Sequence, residues 1–427
     1  LYARRQRQMC IRDSNKSAIN IFEIFTMIRL VLGDGFLVDV VPLFESVSDL
    51  ENSSDIMQKV YANKLYRQHL KNRNNVQTIM LGFSDGTKDG GYLTANWSIL
   101  KAKESLTKVS RKFGVKVIFF DGRGGPPARG GGNTHQFYSS LGDFIESDQI
   151  QLTVQGQTIS SNFGTIESSQ YNMEQLISSG IKNRILSNKE VFNRKNRQTI
   201  EKLSSLSFQH YSDFKNHPKF IPYLDKMSTI KYYSKANIGS RPSKRGNKDE
   251  EFDFDKLRAI PFVGGWNQLK QNVPGFYGLG TSINYFYKKN KIKDVKDLYS
   301  EVPFFRALVS NSMMSLTKSF FELTSYMSKD EEFGEFWKLI HEEYLLTKKM
   351  LLKISNFKNL MENEPANKLS IETREEIVMP LITIQQYALQ IVNEIDSNKL
   401  DNSKKPIFEK MITRSLYGNI NASRNSA

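Results

Sequence analysis

The sequence predicts an α/β fold, either a parallel sheet covered on both faces or a closed barrel, followed by a helical carboxy-terminal region. Short, nearly all-apolar runs alternate with helix-favouring segments, as in proteins built around buried parallel strands. Charged or glycine-rich residues follow the ends of these runs, which is where such folds keep their chemistry. From about residue 300 the chain becomes a series of long amphipathic segments almost free of glycine.

Four apolar runs predict strands in chain order, and a fifth predicts a further strand and loop. They are FLVDVVPLF (36–44), TIMLGFS (78–84), VKVIFF (115–120), IQLTVQG (150–156) and LRAIPFVGGW (257–266). Between the first two, the polar stretch 48–72 favours helix. Segment 90–113 predicts a helix with Leu93, Trp97, Leu100 and Leu106 on one side, and Gly114 ends it.

The sequence divides into three parts. We expect residues 16–299 to hold the strands and the active-site residues, and 300–427 to form packed helices. The polar stretch SRPSKRGNKDEEFDFDK (240–256) predicts a mobile loop. Residues 1–15 resemble translated adaptor sequence joined to a truncated reading frame, and an Arg-rich transit peptide is the alternative. We therefore expect the natural protein to begin further upstream.

Composition limits the partners without choosing one. The 427 residues carry a formal net charge of +15, which suits nucleic acid, phosphorylated metabolites or acidic lipids. No apolar run reaches the roughly 18 residues that a membrane span needs, and IFEIFTMIRLVLG (21–33) predicts a buried helix. The single cysteine, Cys10, leaves neither a disulfide framework nor a thiolate metal site and favours a reducing compartment.

Two carboxylates follow neighbouring predicted strands. Glu45 ends the first apolar run and Asp85 ends the second, so a parallel arrangement brings both to one rim. Without a nearby His or Cys they suit a hard cation such as Mg²⁺ or Mn²⁺. The alternative is that each carboxylate caps the helix that follows it.

Several basic residues are further candidates for the site. Lys88, in GFSDGTKDGG, follows a strand in a glycine-containing turn and suits a phosphate or carboxylate, with a solvated surface lysine as the alternative. The loop FFDGRGGPPARGGGNTH (119–135) holds Arg123 and Arg129, whose guanidinium groups bind anions while glycines let backbone N–H groups approach. An RGG-type RNA-binding segment is the alternative. Arg241 and Arg258 add two more cations.

Several of these motifs resemble phosphoenolpyruvate carboxylases. IMLGFSDGTKDGG (79–91) is similar to the family's lysine signature, with Phe83 and Gly86 where the family more often has Tyr and Ser. The glycine loop resembles the family's mobile loop, although Asp121 stands where His usually precedes GRGG. PLFES (42–46), NIGSRPSKR (237–245), LRAIPFVGGW and the terminal RNSA also match in order, whereas the amino-terminal TAHPTE-type motif with the family's catalytic histidine is absent.

The resemblance implies a carboxy-terminal part of a large (β/α)8-type barrel enzyme, a lyase that carboxylates phosphoenolpyruvate with bicarbonate to oxaloacetate and phosphate. Glu45 and Asp85 would hold Mg²⁺ or Mn²⁺, and Arg123, Arg241 and Arg258 the phosphate. Arg129 and Lys88 would bind on the side of the bicarbonate. The full-length enzyme would be a cytoplasmic homotetramer with no nucleic-acid or membrane partner.

The resemblance also implies feedback inhibition by aspartate or malate. Lys318, Arg374 and Asn425 match the family's inhibitor positions, with Arg129 as the fourth partner. Because the catalytic histidine is missing, we expect the chain alone to have little or no activity. The alternatives are a basic RGG-type RNA-binding protein and another metal-dependent phosphoryl-transfer or enolate enzyme.

Overall fold

The computed structural model describes residues 14–129, 131–142, 144–154, 157–186, 192–235, 254, 257–397 and 400–423. Within them, four strands form one parallel sheet whose spatial order follows the chain. The strands are β1 (Leu43–Phe44), β2 (Val76–Leu81), β3 (Lys116–Asp121) and β4 (Ile150–Leu152). The four predicted strands are therefore confirmed at their positions, although the first is much shorter than the apolar run 36–44.

Helices make up most of the remaining described chain. The amino-terminal ones are α1 (Ala18–Leu32), α2 (Val47–Ala62), α3 (Lys64–Asn72), α4 (Phe83–Gly90), α5 (Tyr92–Lys112), α6 (Thr134–Tyr138), α7 (Gln157–Phe163), α8 (Ile166–Leu186), α9 (Arg194–Lys215) and α10 (Phe220–Met227). The carboxy-terminal ones are α11 (Ala259–Gln268), α12 (Leu279–Lys288), α13 (Ile292–Glu301), α14 (Pro303–Thr317), α15 (Gly334–Ser355), α16 (Pro365–Asp396) and α17 (Lys405–Ser423). Short 3₁₀ segments include Pro127–Arg129 and Val273–Gly275. The predicted α/β fold with a helical carboxy-terminal region is confirmed, and closure into a barrel remains a prediction.

The register of the strands aligns their carboxyl ends. Phe44 pairs with Leu81, Leu81 with Asp121, and Asp121 with Leu152. These four residues define what we call the carboxyl edge of the sheet. The chain leaves the edge after Phe44 towards Glu45, after Leu81 into α4, and after Asp121 into the glycine loop.

Helix α5 covers the sheet as its sequence pattern predicts. Leu93, Trp97, Leu100 and Leu106 are all buried, because a 3.6-residue period places them on one face. The helix ends before Gly114, whose φ of +67° is a left-handed conformation that favours glycine.

The predicted strand at 257–266 is wrong, because α11 occupies this segment. Pro261 lies in the first turn of the helix, where a missing backbone N–H costs no intrahelical hydrogen bond. Nearly every side chain of α11 is buried, so its sequence shows no polar face and reads like a buried strand.

Helix α1 confirms the predicted helix at 21–33, but the prediction that it is buried is only partly right. Ala18, Ile21 and Phe25 are buried. Leu30 and Val31 are 81% and 80% exposed, so the end of this helix presents apolar side chains to solvent. Just before the helix, the Asn15 N–H donates to the carbonyl of Leu43 at 2.7 Å, which holds the start of the described chain against β1.

The largest hydrophobic core crosses the boundary between the two predicted regions. It joins strand residues such as Ile79 and Phe119 to Phe304 of α14 and Met350 of α15. A second core packs Trp266 of α11 against α9, α10 and α15. Within the described ranges, no helix combines the length and the apolar composition that crossing a membrane requires.

Replacing either of two glycines that have open space around them should change the free energy of unfolding, in opposite directions. At Gly114 and Gly180 an added Cβ would contact nothing within 4 Å, but only Gly114 has a positive φ. We expect Gly114→Ala to lower the free energy of unfolding by about 1 kcal/mol because alanine is strained there. Gly180→Ala, inside α8, should raise it by about 0.5–1 kcal/mol. Urea unfolding followed by circular dichroism measures both, and equal effects of the same sign would contradict the assigned conformations.

Candidate active site

Helix α4 lies at the carboxyl edge and contacts Glu45 through two glycines. A Cβ at Gly82 would lie 2.6 Å from Cγ of Glu45, and one at Gly86 would lie 3.1 Å from its backbone oxygen. Glycine at these positions therefore lets the Glu45 segment pack closely against the helix that carries Asp85. Both carboxylates are half-buried.

The helix-capping alternative is wrong for Glu45. The N-cap of α2 is Ser46, whose Oγ accepts a hydrogen bond from the Asp49 N–H at 3.1 Å. Asp85 lies in the first turn of α4, where a carboxylate stabilises the positive end of the helix dipole. Helix stabilisation therefore accounts for one predicted carboxylate and not for the other.

Arg129 ends the 3₁₀ turn after β3 and faces α4. Its backbone carbonyl accepts a hydrogen bond from Ser84 Oγ at 3.2 Å. Burial lowers the pKa of the Arg129 guanidinium to about 10, and the charges of Asp85 and Tyr233 oppose that shift. The guanidinium therefore stays protonated at neutral pH and adds a buried positive charge beside Asp85.

Arg123 is held inside the glycine loop. Its Nη2 donates to the carbonyl of Gly131 at 3.0 Å, and its guanidinium carbon lies 4.4 Å from the ring centroid of Phe137. A guanidinium over an aromatic face is attracted by the ring quadrupole, most strongly where water is excluded. Both contacts fix the direction of a side chain that is almost fully buried.

The glycines of this loop allow backbone to pack against backbone. A Cβ at Gly131 would lie 2.2 Å from the Gly125 carbonyl oxygen, and one at Gly132 would lie 2.2 Å from Oδ1 of Asn311. The Gly131 N–H also donates to the Pro126 carbonyl at 2.9 Å. The loop is thus folded onto itself and onto α14, which is the physical reason for its glycine content.

Lys88 is buried, so the alternative of a solvated surface lysine is wrong. Its Nζ donates to the carbonyls of Phe254 at 2.6 Å and Leu257 at 2.7 Å, and lies 4.2 Å from the Phe254 ring centroid. These bonds hold the chain immediately before Arg258 against α4. Arg258 is the N-cap residue of α11, and Phe262 N–H donates to its carbonyl at 3.2 Å.

A second group of charges surrounds Lys318, at the end of α14. Burial lowers the pKa of Lys318 to about 8, the charges of Lys270 and Arg374 add to the shift, and Glu375 opposes it. Lys270 and Glu375 form an ion pair in which the lysine is almost fully buried. The charge of Arg374 therefore acts on Lys318. Their role as inhibitor positions remains a prediction from the sequence.

Arg129 contacts α4 through Ser84, and the charge of Asp85 acts on its guanidinium. Two further predicted site residues, Arg241 and Asn425, fall outside the described residues. Their roles therefore remain predictions from the sequence motifs.

Sequence reasoning missed Lys103, Tyr138, Lys270 and Glu375. The Asp121 carboxylate, at the end of β3, accepts hydrogen bonds from Lys103 Nζ at 2.6 Å and from Tyr138 Oη at 2.7 Å. Burial lowers the pKa of the Lys103 ammonium, and the charge of Asp121 opposes that shift. Lys103 falls on the buried face of α5 between Leu100 and Leu106, so a lysine in an apolar stripe was the available signal.

A metal site at α4 would rely on few protein ligands. Among the described residues there is no group of three or more His, Cys, Asp and Glu side chains that could hold a metal ion. Glu45 and Asp85 supply two carboxylates with oxygen donors, which fits Mg²⁺, an ion that usually keeps several waters.

The comparison with protein families matches the sequence from residue 21 to residue 424 to phosphoenolpyruvate carboxylase. The match spans the sheet, α4, the glycine loop and the charges around Lys318.

Replacing Lys88 tests its structural contacts. We expect Lys88→Met to lower the free energy of unfolding by about 2 kcal/mol, because two carbonyls lose a charged donor. Limited proteolysis should also cleave faster near residue 254. Lys108→Met, on the exposed side of α5, is the matched control and should change neither quantity. Unchanged stability and cleavage in Lys88→Met would show that these bonds do not hold the segment.

Proposed function

Because the chain belongs to the phosphoenolpyruvate carboxylase family, we propose that it is the carboxy-terminal part of an enzyme that carboxylates phosphoenolpyruvate with bicarbonate. The products are oxaloacetate and phosphate. The observation that carries the proposal is the contact of α4 with the Glu45 segment, with Arg129 and with the chain before Arg258. The Glu45 segment, Arg129 and the chain before Arg258 all contact this one helix, which supports a shared site after the end of β2.

The charges around α4 suit a phosphorylated enol. Arg123, Arg258 and, by its motif, Arg241 would bind the phosphoryl oxygens, since guanidinium groups form paired hydrogen bonds with them. Arg129, protonated beside Asp85, would face the bicarbonate that attacks phosphorus. Lys88 would reach bicarbonate only by leaving the carbonyls of Phe254 and Leu257, so in its observed position it supports Arg258 instead.

Glu45 and Asp85 are the residues that would hold Mg²⁺ or Mn²⁺. When bound, such an ion supplies positive charge that stabilises the developing enolate. The folded glycine loop and the buried Arg123 limit the access of water, which would otherwise protonate the enolate before it captures carbon dioxide.

Burial of Arg123 and Arg129 weighs against an RGG-type RNA-binding segment. Both guanidinium groups lie inside a loop that packs on α4, α6 and α14, whereas contacts with an RNA backbone need accessible cations. A different metal-dependent enolate enzyme is a weaker alternative, because the family match covers the whole described active region.

The edges of the sheet and helix α1 support the proposal that this chain is one part of a larger enzyme. Strands β1 and β4 are the edges of the four-stranded sheet within the described residues. Exposed apolar residues on α1, such as Leu30 and Val31, are of the kind that another chain segment covers. The complete enzyme would be a cytoplasmic homotetramer, and this chain alone would have little or no carboxylase activity.

Substrate binding separates this function from the alternatives. We expect the purified chain to bind phosphoenolpyruvate in the presence of Mg²⁺, measured by isothermal titration calorimetry. Arg258→Gln should raise the dissociation constant about tenfold or more, since it removes a charged hydrogen-bond donor. Arg111→Gln, with a side chain 54% exposed and remote in sequence from α4, is the control.

Two results would contradict the proposal. The first is phosphoenolpyruvate binding that is absent, or equally strong in Arg258→Gln and the control. The second concerns the chain alone: robust oxaloacetate formation from phosphoenolpyruvate, bicarbonate and Mg²⁺ would refute its predicted inactivity.

The charges around Lys318 support a regulatory site for a four-carbon dicarboxylate such as aspartate or malate. Among the described residues, the positive charges of Lys270 and Arg374 and the carboxylate of Glu375 act on Lys318, so this net positive group favours an added anion. The segment after Lys270 runs to the turn Val273–Gly275, where a Cβ on Gly275 would lie 3.7 Å from the Ala128 backbone nitrogen. This path leads to Arg129, which in the inhibited state would move away from Asp85 towards the inhibitor.

Inhibitor binding should depend on the protonation of Lys318. Its pKa of about 8 means that the ammonium is charged at neutral pH and loses its proton as pH rises. We expect the dissociation constant for malate to increase as pH rises above about 8. Lys318→Gln should bind malate more weakly and lose this pH dependence, and Lys108→Gln serves as the control. A pH dependence retained in Lys318→Gln would contradict the assignment.

A further inference from the structure

Strand β3 ends in a charged group that is fully enclosed. Asp121 has 0% of its surface exposed and Lys103 has 2%, and their charged atoms lie 2.6 Å apart. Tyr138 Oη donates to the same carboxylate oxygen at 2.7 Å. Three elements therefore meet at one side chain: β3, α5 and α6.

Burial makes the two charges depend on each other. An isolated carboxylate or ammonium in the protein interior loses its hydration, and removing one member of a buried pair leaves the other uncompensated. The second oxygen of Asp121, Oδ1, is buried without a hydrogen-bond partner in the described part of the chain. Lys103 and Tyr138 both stabilise this carboxylate through its other oxygen, Oδ2.

Arg123 lies next to this group. It follows Asp121 by two residues, and its guanidinium carbon lies 4.4 Å from the ring centroid of Phe137 and 5.9 Å from that of Tyr138. The ring of Tyr138 therefore faces Arg123 while its hydroxyl bonds Asp121. The phosphate-binding role of Arg123 rests on the proposed function, whereas these contacts do not.

We propose that Lys103, Asp121 and Tyr138 form one unit that positions the Arg123 guanidinium. Lys103 compensates the buried negative charge of Asp121. An uncompensated Asp121 would attract Arg123 and repel a phosphorylated anion. Paired with Lys103, Asp121 leaves the Arg123 guanidinium stacked on Phe137 and bonded to the Gly131 carbonyl. Lys103 and Asp121 consequently act as a matched pair, and changing either one alone should lower stability and weaken anion binding.

A double-mutant cycle in the complete chain tests this pairing. The variants are Lys103→Gln, Asp121→His and the two combined, with Tyr138→Phe as a fourth that keeps the ring and removes the hydroxyl. We expect each of the first two single changes to lower the unfolding midpoint by roughly 5 °C or more, and the combination to recover most of that loss. If the decreases in unfolding midpoint of the two single variants simply add in the combined variant, the proposed pairing is wrong.

NMR of the Arg123 side chain reports its position without any substrate. Its ¹Hε–¹⁵Nε resonance should carry a ring-current shift from Phe137 in the unmodified chain. We expect this shift to shrink in Tyr138→Phe and in both single charge variants, measured under conditions where each is folded, and to return in the combined variant. A resonance that stays unchanged in all of them would show that the unit is structural only.

Phosphoenolpyruvate with Mg²⁺ is the second probe. The dissociation constant should rise about tenfold in the single charge variants and return to within about threefold in the combined one. If the unmodified chain binds no phosphoenolpyruvate but the resonance follows the cycle, the proposed function fails and the positioning unit stands. If the unmodified chain binds phosphoenolpyruvate, and neither the affinity nor the Arg123 resonance responds to the substitutions, the positioning unit is wrong and the proposed function stands.

Discussion

The parallel register of the four strands is the constraint on which the site depends. Because Phe44, Leu81, Asp121 and Leu152 are paired across the sheet, each following segment leaves from the same edge. One short helix, α4, and one folded loop then fill the space above that edge. A slip of one residue in β2 would turn Leu81 and its neighbours to the opposite face and separate the Glu45 segment from Gly82 and Gly86.

Positive charge inside the protein is a second feature of the structure. Lys88, Lys103, Lys270, Arg123 and Arg129 are nearly fully buried, although lysine and arginine are usually exposed. Lys88 donates to backbone carbonyls, and Lys103 and Lys270 pair with carboxylates. Part of the net charge of +15 is therefore structural, which explains why composition alone did not identify the partner.

Sequence reasoning succeeded where a local pattern decides the structure. The four strand positions, α5 with its stop at Gly114, and the helical carboxy-terminal region follow from periodicity and turn chemistry. It failed at α11, where nearly complete burial removes the polar face that marks a helix. It overestimated the burial of α1, because periodicity identifies an apolar face without showing what covers it.

The site was harder to predict because its contacts are distant in sequence. Lys88 bonds a carbonyl 166 residues away, and no spacing rule connects these positions. Lys103 and Asp121 are 18 residues apart on different elements and meet only because α5 packs back on β3. The reasoning from strand ends selected Glu45 and Asp85, but it could not show that Gly82 and Gly86 let the backbone approach so closely.

The proposed chemistry requires that the carboxylates of Glu45 and Asp85 and the guanidinium groups after β3 share one site at the carboxyl edge. Paramagnetic relaxation by Mn²⁺, observed by NMR in the complete chain, reports on this proximity without any turnover. We expect Mn²⁺ to broaden the backbone amides of α4 together with the side-chain Nε–Hε resonance of Arg129, and Glu45→Gln combined with Asp85→Asn to abolish both effects. Broadening that leaves α4 untouched, or that survives loss of both carboxylates, would show that the shared site does not exist.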